Sequence, residues 1–466
     1  MSQYYIFATQ LADFRGPRPV QKGSLALKNF IVEEGASPIP GVGDQVLVVS
    51  GKNDAYESLE PHVYEIARVK SGSLTLELVR SYVRTVPLEK VRSTINRSLS
   101  DGGNALNASE FEALVALLGE QRPTETQLLD HIKSYITARG YYFDDETIHN
   151  YHICMKTRPF VILAGLSGTG KSKLTQLYAE AMGHTVQNGH YLRVAVRPSW
   201  NDDRFLLGYL NSITGEYVVE PALEFVIRAE EDRENLYFFC LDEMNLAHVE
   251  YYFSQFLSAL EEENPADRRI HLFSRATEEW LIQQGKEVGY GPVVIIPTNL
   301  LFTGTINVDE TTQPLSDKVI DRANTLEFFE VDLDKIPDRQ PPPDPMHIST
   351  STWQSYIVQE PAISYRTHVI EISKILNQAS LGLGYRVLRE IELYLANSAG
   401  LLKPDVAFDL QVKQRILPRV RGTVAIRETL GNLLTYMKKN GFSRSAARLE
   451  EIENRLKRDG YTSFWR

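Results

Sequence analysis

The chain carries a series of short, almost uninterrupted apolar runs separated by segments of helical periodicity. Residues 160–164 form one such run, and a glycine-rich stretch follows it. Apolar positions then recur at Leu174, Leu177 and Ala181 with helical spacing. Residues 191–196, 236–241, 300–306 and 325–329 read in the same way. A run of this length with no polar face suits a strand buried on both sides. Such strands alternating with helices predict a parallel sheet covered by helices.

The flanking regions differ. Between residues 1 and 100, alternation of the strand type appears in Val63-Tyr64-Glu65-Ile66-Ala67-Arg68-Val69 and Leu74-Thr75-Leu76-Glu77-Leu78-Val79. Val46-Leu47-Val48-Val49 follows a glycine turn at 41–44, and Ser71-Gly72 marks another. Short strands between turns predict a small, mostly-β, barrel-like domain over 1–100. Residues 101–123 are small and polar at first and read as a linker, with a short helix from Phe111 that Gly119 ends. The core is expected over 124–334. Its first helix opens with the capping pattern Thr124-x-x-Gln127, repeats Leu128, Ile132 and Ile136 on one face, and closes at Gly140. A second helix is expected over 145–155. Five prolines between 337 and 345 read as a linker into a helical region, 335–466, with helices over 365–378, 383–398, 408–417, 426–439 and 443–458.

Composition narrows the class. The 466 residues carry a formal net charge of -10, with 43% hydrophobic and 24% charged residues. A protein coated with nucleic acid would be basic, so any DNA contact needs a local patch. Residues 1–100 hold twelve basic and ten acidic side chains, a balance that favours neither DNA nor protein as their partner. No apolar stretch is long enough to span a bilayer. Cys154 and Cys240 are the two cysteines, which speaks against a disulfide framework or a cysteine zinc site and suits the cytoplasm.

The chemistry concentrates at the ends of the apolar runs. Gly165-x-x-x-x-Gly170-Lys171-Ser172 lies between a strand and a helix, the context of a phosphate-binding loop. Gly165, Gly168, Thr169 and Gly170 give a curled backbone whose N–H groups converge on an anion, and the helix N-terminus adds positive potential. Lys171 reaches terminal phosphates, and the Ser172 hydroxyl is a ligand for Mg²⁺. Asp242 and Glu243 end the 236–241 run: Asp242 suits Mg²⁺, and Glu243 suits polarising a water. Asn307 ends another strand and suits a sensor of that water or of the terminal phosphate; a strand-ending turn would also use Asn. Arg322 is expected on a helix before the last strand. There it would stabilise charge on a neighbouring subunit's transferring phosphate, although a surface ion pair uses arginine as well. Arg386, after Gly384-Tyr385, is a candidate second sensor on a helical lid that swings onto the phosphates. Lys413, Arg415, Arg419, Arg421 and Arg427 could touch DNA but read better as a solvated helix face, and Glu261-Glu262-Glu263 as a solvated helix end. Residues 262–297 follow no readable period.

Four stretches in order resemble the McrB family of AAA+ GTPases, the motor subunits of modification-dependent restriction systems. They are 159–172; Val196-Arg197-Pro198-Ser199-Trp200-Asn201-Asp202; Leu241-Asp242-Glu243-Met244-Asn245-Leu246-Ala247; and 307–312 through Asp321-Arg322-Ala323-Asn324. The resemblance covers about 124–440. It implies an AAA+ α/β P-loop NTPase core with a C-terminal helical lid. It also implies a nucleotide-dependent homo-hexamer, Mg²⁺ with GTP or ATP, a separate McrC-type nuclease partner, and an N-terminal domain that recognises DNA, modified DNA included. The family's usual Met-Asn-x-x-Asp-Arg-Ser is tied to GTP, so the resemblance implies GTP ahead of ATP. Here Asn307 matches, the acid comes one place early at Asp309, and Thr311 stands where Arg is usual. The first hundred residues resemble barrels of the EVE and PUA type. The other reading of the motor is a MoxR- or dynein-like ATPase that remodels a protein, with residues 1–100 as a docking barrel. A nucleotide-locked scaffold would have no use for the water-activating acid at Glu243.

Overall fold

The computed structural model describes residues 4–10, 24–28, 45–51, 59–70, 73–81, 102–106, 108–118, 123–211, 213–285, 291–308 and 313–465. The turns expected at 41–44 and 71–72, the helix end at Gly119, and Asp309 and Thr311 lie outside these residues. The chain forms two compact units, residues 1–127 with 351–356, and residues 128–350 with 357–466.

In the first unit, β1 (Tyr4–Gln10), β2 (Ser24–Lys28), β3 (Gln45–Gly51), β4 (Leu59–Lys70), β5 (Ser73–Ser81) and β6 (Gly102–Leu106) make one sheet in the order β2-β5-β4-β3-β1-β6. The alternating stretches fall in β4 and β5, and the run Val46–Val49 in β3. β1 and β3 are parallel, and the other pairs are antiparallel. Among the described residues no pairing joins β2 to β6, so the barrel-like closure that was expected is not seen there. Part of the expected linker is β6, with Leu106 opposite Tyr4. A strand beginning Gly-Gly-Asn has no hydrophobic alternation to announce it, and its pairing with β1 defines it. Helices of eight or more residues are numbered from α1 (Ala108–Leu118), which follows β6. Residues 351–356 return to this unit, and the Tyr356 hydroxyl donates to the Pro123 carbonyl at 2.7 Å.

α2 (Glu125–Ala138) starts in a reciprocal capping box. Thr124 N–H donates to Gln127 Oε1 at 2.9 Å, and Gln127 N–H donates to Thr124 Oγ1 at 3.2 Å. Such a cap contributes about 1 kcal/mol. Leu128, Ile132 and Ile136 are buried, as their spacing requires. α3 (Asp145–Thr157) is capped by Asp144, which accepts from Thr147 N–H.

In the second unit the sheet is parallel, with strands β7 (Phe160–Gly165), β8 (Tyr191–Ala195), β11 (Tyr237–Asp242), β14 (Leu300–Asn307) and β15 (Asn324–Phe328) in the order β15-β7-β14-β11-β8. Every residue of β7 and β14 is buried. Their apolar runs are continuous because helices cover both faces. The rings of Phe239, Phe253, Phe256 and Phe302 pack together on one face, with Phe253 and Phe256 stacked at 4.7 Å. α4 (Lys171–Ala181) follows β7. Trp200 packs into the core, stacked on Phe205, and Asp202 accepts the Arg204 backbone N–H at the start of a one-turn helix.

Two antiparallel pairs interrupt the α/β alternation. β9 (Gly208–Leu210) pairs with β10 (Tyr217–Val219) ahead of α5 (Pro221–Glu231). β12 (Arg269–His271) pairs with β13 (Val293–Ile295), and α6 (Arg275–Gln283) lies between them. Three-residue strands separated by a helix leave no period, which is why 262–297 is silent in the sequence.

The proline-rich stretch is not a free linker. Gln340 N–H donates to the carbonyl of Ala138 (2.8 Å), Met346 N–H to Ala181 (2.9 Å) and Ile348 N–H to Met182 (3.2 Å). It is an ordered strap across the ends of α2 and α4. The helices α7 (Arg366–Asn377), α8 (Tyr385–Asn397), α9 (Pro404–Gln411), α10 (Arg427–Lys439) and α11 (Ser443–Asp459) follow. α9 runs into a π-helical turn, Val412–Ile416, and β16 (Arg421–Thr423) pairs with β17 (Tyr461–Ser463).

Candidate active site

The functional residues gather at the carboxyl edge of the parallel sheet, where loops leaving β7, β11 and β14 meet. The β7 loop is built to approach closely. A Cβ on Gly165 would lie 1.9 Å from the Phe328 carbonyl oxygen, so only glycine fits. Gly168 and Gly170 have φ of 81° and 89°, the left-handed region that glycine enters without cost. Between them the Thr169 hydroxyl donates to the Leu166 carbonyl at 2.9 Å. A Cβ on Gly168 would meet nothing within 4 Å, so the loop is open on that side.

Lys171 and Ser172 open α4. Lys171 Nζ is largely buried and donates to the carbonyls of Gly165 (3.2 Å) and Leu166 (2.6 Å). Burial lowers the Lys171 pKa, against the attraction of Asp242 and Glu243. Ser172 Oγ donates to Asp242 Oδ1 at 2.5 Å. Lys171 and Asp242 thus share one small volume, as a common ligand requires.

One residue that sequence reasoning missed organises the acids. Thr305, on β14 and 1% exposed, donates its hydroxyl to Asp242 Oδ1 at 2.7 Å and accepts the Glu243 backbone N–H at 2.9 Å. Glu243 itself has φ 52°, a left-handed backbone that non-glycine residues seldom adopt. The conformation turns the chain off β11, and Asn307 Nδ2 donates to Glu243 Oε1 at 2.7 Å. Asn245, also missed, holds the Asn307 backbone from both sides. Its Nδ2 donates to the Asn307 carbonyl at 2.8 Å, and its Oδ1 accepts the Asn307 N–H at 3.2 Å. Ser172, Asp242, Thr305, Glu243 and Asn307 are therefore one continuous hydrogen-bonded chain. Arg193 of β8 stands 3.9 Å from Asp242 Oδ2.

Ser172 and Asp242 are hard oxygen donors side by side, the donor set that suits Mg²⁺, an ion that takes few protein ligands and fills its octahedron with water and phosphate. Bound there, Mg²⁺ would neutralise phosphate charge. Among the described residues no group of three or more His, Cys, Asp or Glu is placed to hold a metal.

The two arginines lie elsewhere. Arg322 sits just after a one-turn helix, Asp317–Ile320, rather than on it. It is paired with Glu261 at 2.7 Å, and Arg386 at the start of α8 takes the other oxygen of Glu261 at 2.5 Å. Arg386 therefore rests on Glu261, and no ion pair among the described residues joins it to the phosphate loop. In the acidic run at 261–263, Glu262 and Glu263 are exposed as expected, Glu263 pairing at the surface with Arg389, whereas Glu261 is half-buried.

In the basic run after 412, Arg421 and Arg427 are exposed, but Lys413, Arg415 and Arg419 do not form a solvated face. Arg415 is fully buried, paired with Glu390, which also takes Arg158, and it donates to the carbonyls of Ala323 (2.6 Å) and Asp321 (3.1 Å). Lys413 pairs with Glu327 (2.6 Å), Arg419 with Asp321 (2.5 Å) and Arg421 with Asp317 (2.6 Å). These cations tie the helical region to the sheet and the segment carrying Arg322. Their partners are distant in sequence, so local charge patterning could not find them.

A glycine cradle, a lysine and an acid pair on a 5-1-4-3-2 parallel sheet define the core of a P-loop NTPase fold. Residues 160–323 match the family profile of the AAA domain of the dynein-related subfamily, and this part of the chain is a AAA ATPase core of that type. Residues 349–461 match a domain of unknown function, DUF8727. No curated protein matches the chain. Among solved structures, a candidate ATPase from Cytophaga hutchinsonii is 14% identical, with 67% of this chain and 93% of that chain covered, at a TM-score of 0.43. An ASCH protein from Zymomonas mobilis is 10% identical, with 25% of this chain and 96% of that one covered, at a TM-score of 0.18. Neither likeness is strong enough to argue from. No helix among the described residues is long and apolar enough to cross a membrane.

Proposed function

We propose that the protein is a Mg²⁺-dependent nucleoside triphosphatase that works as a ring of like subunits and uses the cycle to remodel a macromolecular partner. The carrying observation is the hydrogen-bonded chain from Ser172 through Asp242 and Thr305 to Glu243 and Asn307. In this reading the loop N–H groups and Lys171 hold the phosphates. Glu243 accepts a proton from the attacking water while Asn307 orients its carboxylate. Arg322 serves the site of a neighbouring subunit. The dynein-related match over 160–323 supports ATP as the fuel.

A second reading is supported by the sequence stretches at 196–202 and 241–247, which resemble McrB. There the fuel is GTP, the ring is a hexamer, the first hundred residues bind DNA, modified DNA included, and a McrC-type nuclease is the partner.

Steady-state hydrolysis of ATP and GTP with Mg²⁺ tests the shared core. Lys171→Ala should abolish nucleotide binding. Glu243→Gln should bind nucleotide with parent affinity yet turn over about 10²-fold or more slowly, the scale of a lost general base. Parent-rate hydrolysis by Glu243→Gln would remove Glu243 from the role of base. ATP preference without retention of methylated or unmethylated DNA on filters favours the first reading, and GTP preference with retention favours the second.

A further inference from the structure

Glu261 has no part in the scheme above, yet its geometry singles it out. It follows the helix Ser254–Ala259 and is about a quarter exposed. Its two oxygens are divided between two arginines from different parts of the second unit. Oε2 takes Arg322 at 2.7 Å, and Oε1 takes Arg386 of α8 at 2.5 Å. Burial alone would raise the Glu261 pKa, but hydrogen bonds from Arg322 and Arg386 outweigh it and hold the carboxyl below its ordinary range.

The surroundings explain why Arg322 needs such a partner. Its side chain is only 17% exposed, and its Nε–H is buried without an acceptor. The backbone around it is already gripped. Arg415 donates to the carbonyls of Asp321 and Ala323 on either side. Asp321 is held by Arg419 at 2.5 Å. What these backbone contacts leave to be held is the guanidinium, and cations crowd here, since Arg268, Arg322 and Arg386 all act electrostatically on Arg158. Without a carboxylate between them, Arg322 and Arg386 would repel and separate.

We propose that Glu261 is a positioning residue that fixes the Arg322 guanidinium for the triphosphate of a second copy of this chain and, through Arg386, makes that placement depend on the seating of α8. This rests on the reading of Arg322 given above. An arginine serving a transferring phosphate contributes only when its fork is held within a fraction of an ångström, so loss of the holder lowers turnover and leaves nucleotide binding in the chain's own loop intact.

The test uses the full chain. Glu261→Gln, Arg322→Ala and the double variant are compared in Mg²⁺-ATP and Mg²⁺-GTP hydrolysis, under steady-state and single-turnover conditions, with nucleotide binding and thermal melting measured on each. Glu261→Gln should lower kcat about tenfold or more, with KM and nucleotide affinity within about twofold of the parent. On top of Arg322→Ala it should add no further loss, because its effect passes through Arg322. Glu261→Asp keeps the charge but withdraws the carboxylate, and should fall between the parent and Glu261→Gln. A parent-like kcat in Glu261→Gln overturns the proposal. So does an equal loss in the Arg322→Ala background, which would mark a merely structural role. If Glu261→Gln does not fold, a parent-like kcat in Glu261→Asp overturns it. A parent chain that hydrolyses neither nucleotide refutes the underlying reading instead, and the two failures are thereby distinct.

Discussion

Replacing Thr305 with valine keeps its shape and removes one hydroxyl. That hydroxyl both donates to Asp242 and accepts the Glu243 N–H, so the change leaves a backbone donor and a carboxylate oxygen short of a partner in a buried site. Thr305→Val should cost about 1–3 kcal/mol of stability, the penalty of an unsatisfied buried polar group, and slow turnover by about tenfold for each 1.4 kcal/mol the acids lose in the transition state. Denaturant melts and steady-state hydrolysis measure the two effects separately. The glycines, Lys171, Ser172, Asp242 and Glu243 were legible because their spacing is local and each follows an apolar run. Thr305 was not. It is one residue in a strand, and its role depends on a backbone N–H 62 positions away. Asn245 was hidden for the same reason.

At the scale of elements, β7, β11 and β14 announced themselves because burial on both faces leaves a continuous apolar signature. The proline-rich strap read as a linker because prolines lack a donor, and the amides that tie it down find carbonyls far back along the chain. His184 anchors the same strap. It is buried, its Nε2 lies 2.8 Å from the Ile348 carbonyl, and its Nδ1 is 3.3 Å from that of His190. Burial lowers its pKa to about 3, from an ordinary value of 6.5. Between those values the unfolded chain binds a proton that the folded chain refuses, so stability is complete above 6.5 and falls as pH drops towards 3. At pH 5.5 the loss is about 1.4 kcal/mol. Melts at pH 7.5 and 5.5 should show this slope, and His184→Gln should flatten it.

At the scale of the molecule, the arginine and the base belong to different subunits of the proposed ring. Chains carrying Arg322→Ala and chains carrying Glu243→Gln are each expected to be nearly inactive alone. Mixed, they should recover a fraction of parent turnover, since some junctions then join an intact Arg322 to an intact Glu243. Hydrolysis measured against mixing ratio checks this, and a flat response would place the arginine's action within its own chain.

The strap carries one more consequence. The amides of Met346 and Ile348 close the last turn of the helix whose first turn bears Lys171 and Ser172. That rod is 11 residues long and stiff, so the grip on its far end reports on events at its near end. Deuterium uptake at Met346 and Ile348 should slow when ATP or GTP is added with magnesium, although neither residue lies near the glycine loop, and the Lys171→Ala chain should show no such protection. The protein thus contains its own spectator of occupancy, readable by mass spectrometry without an attached dye or tag.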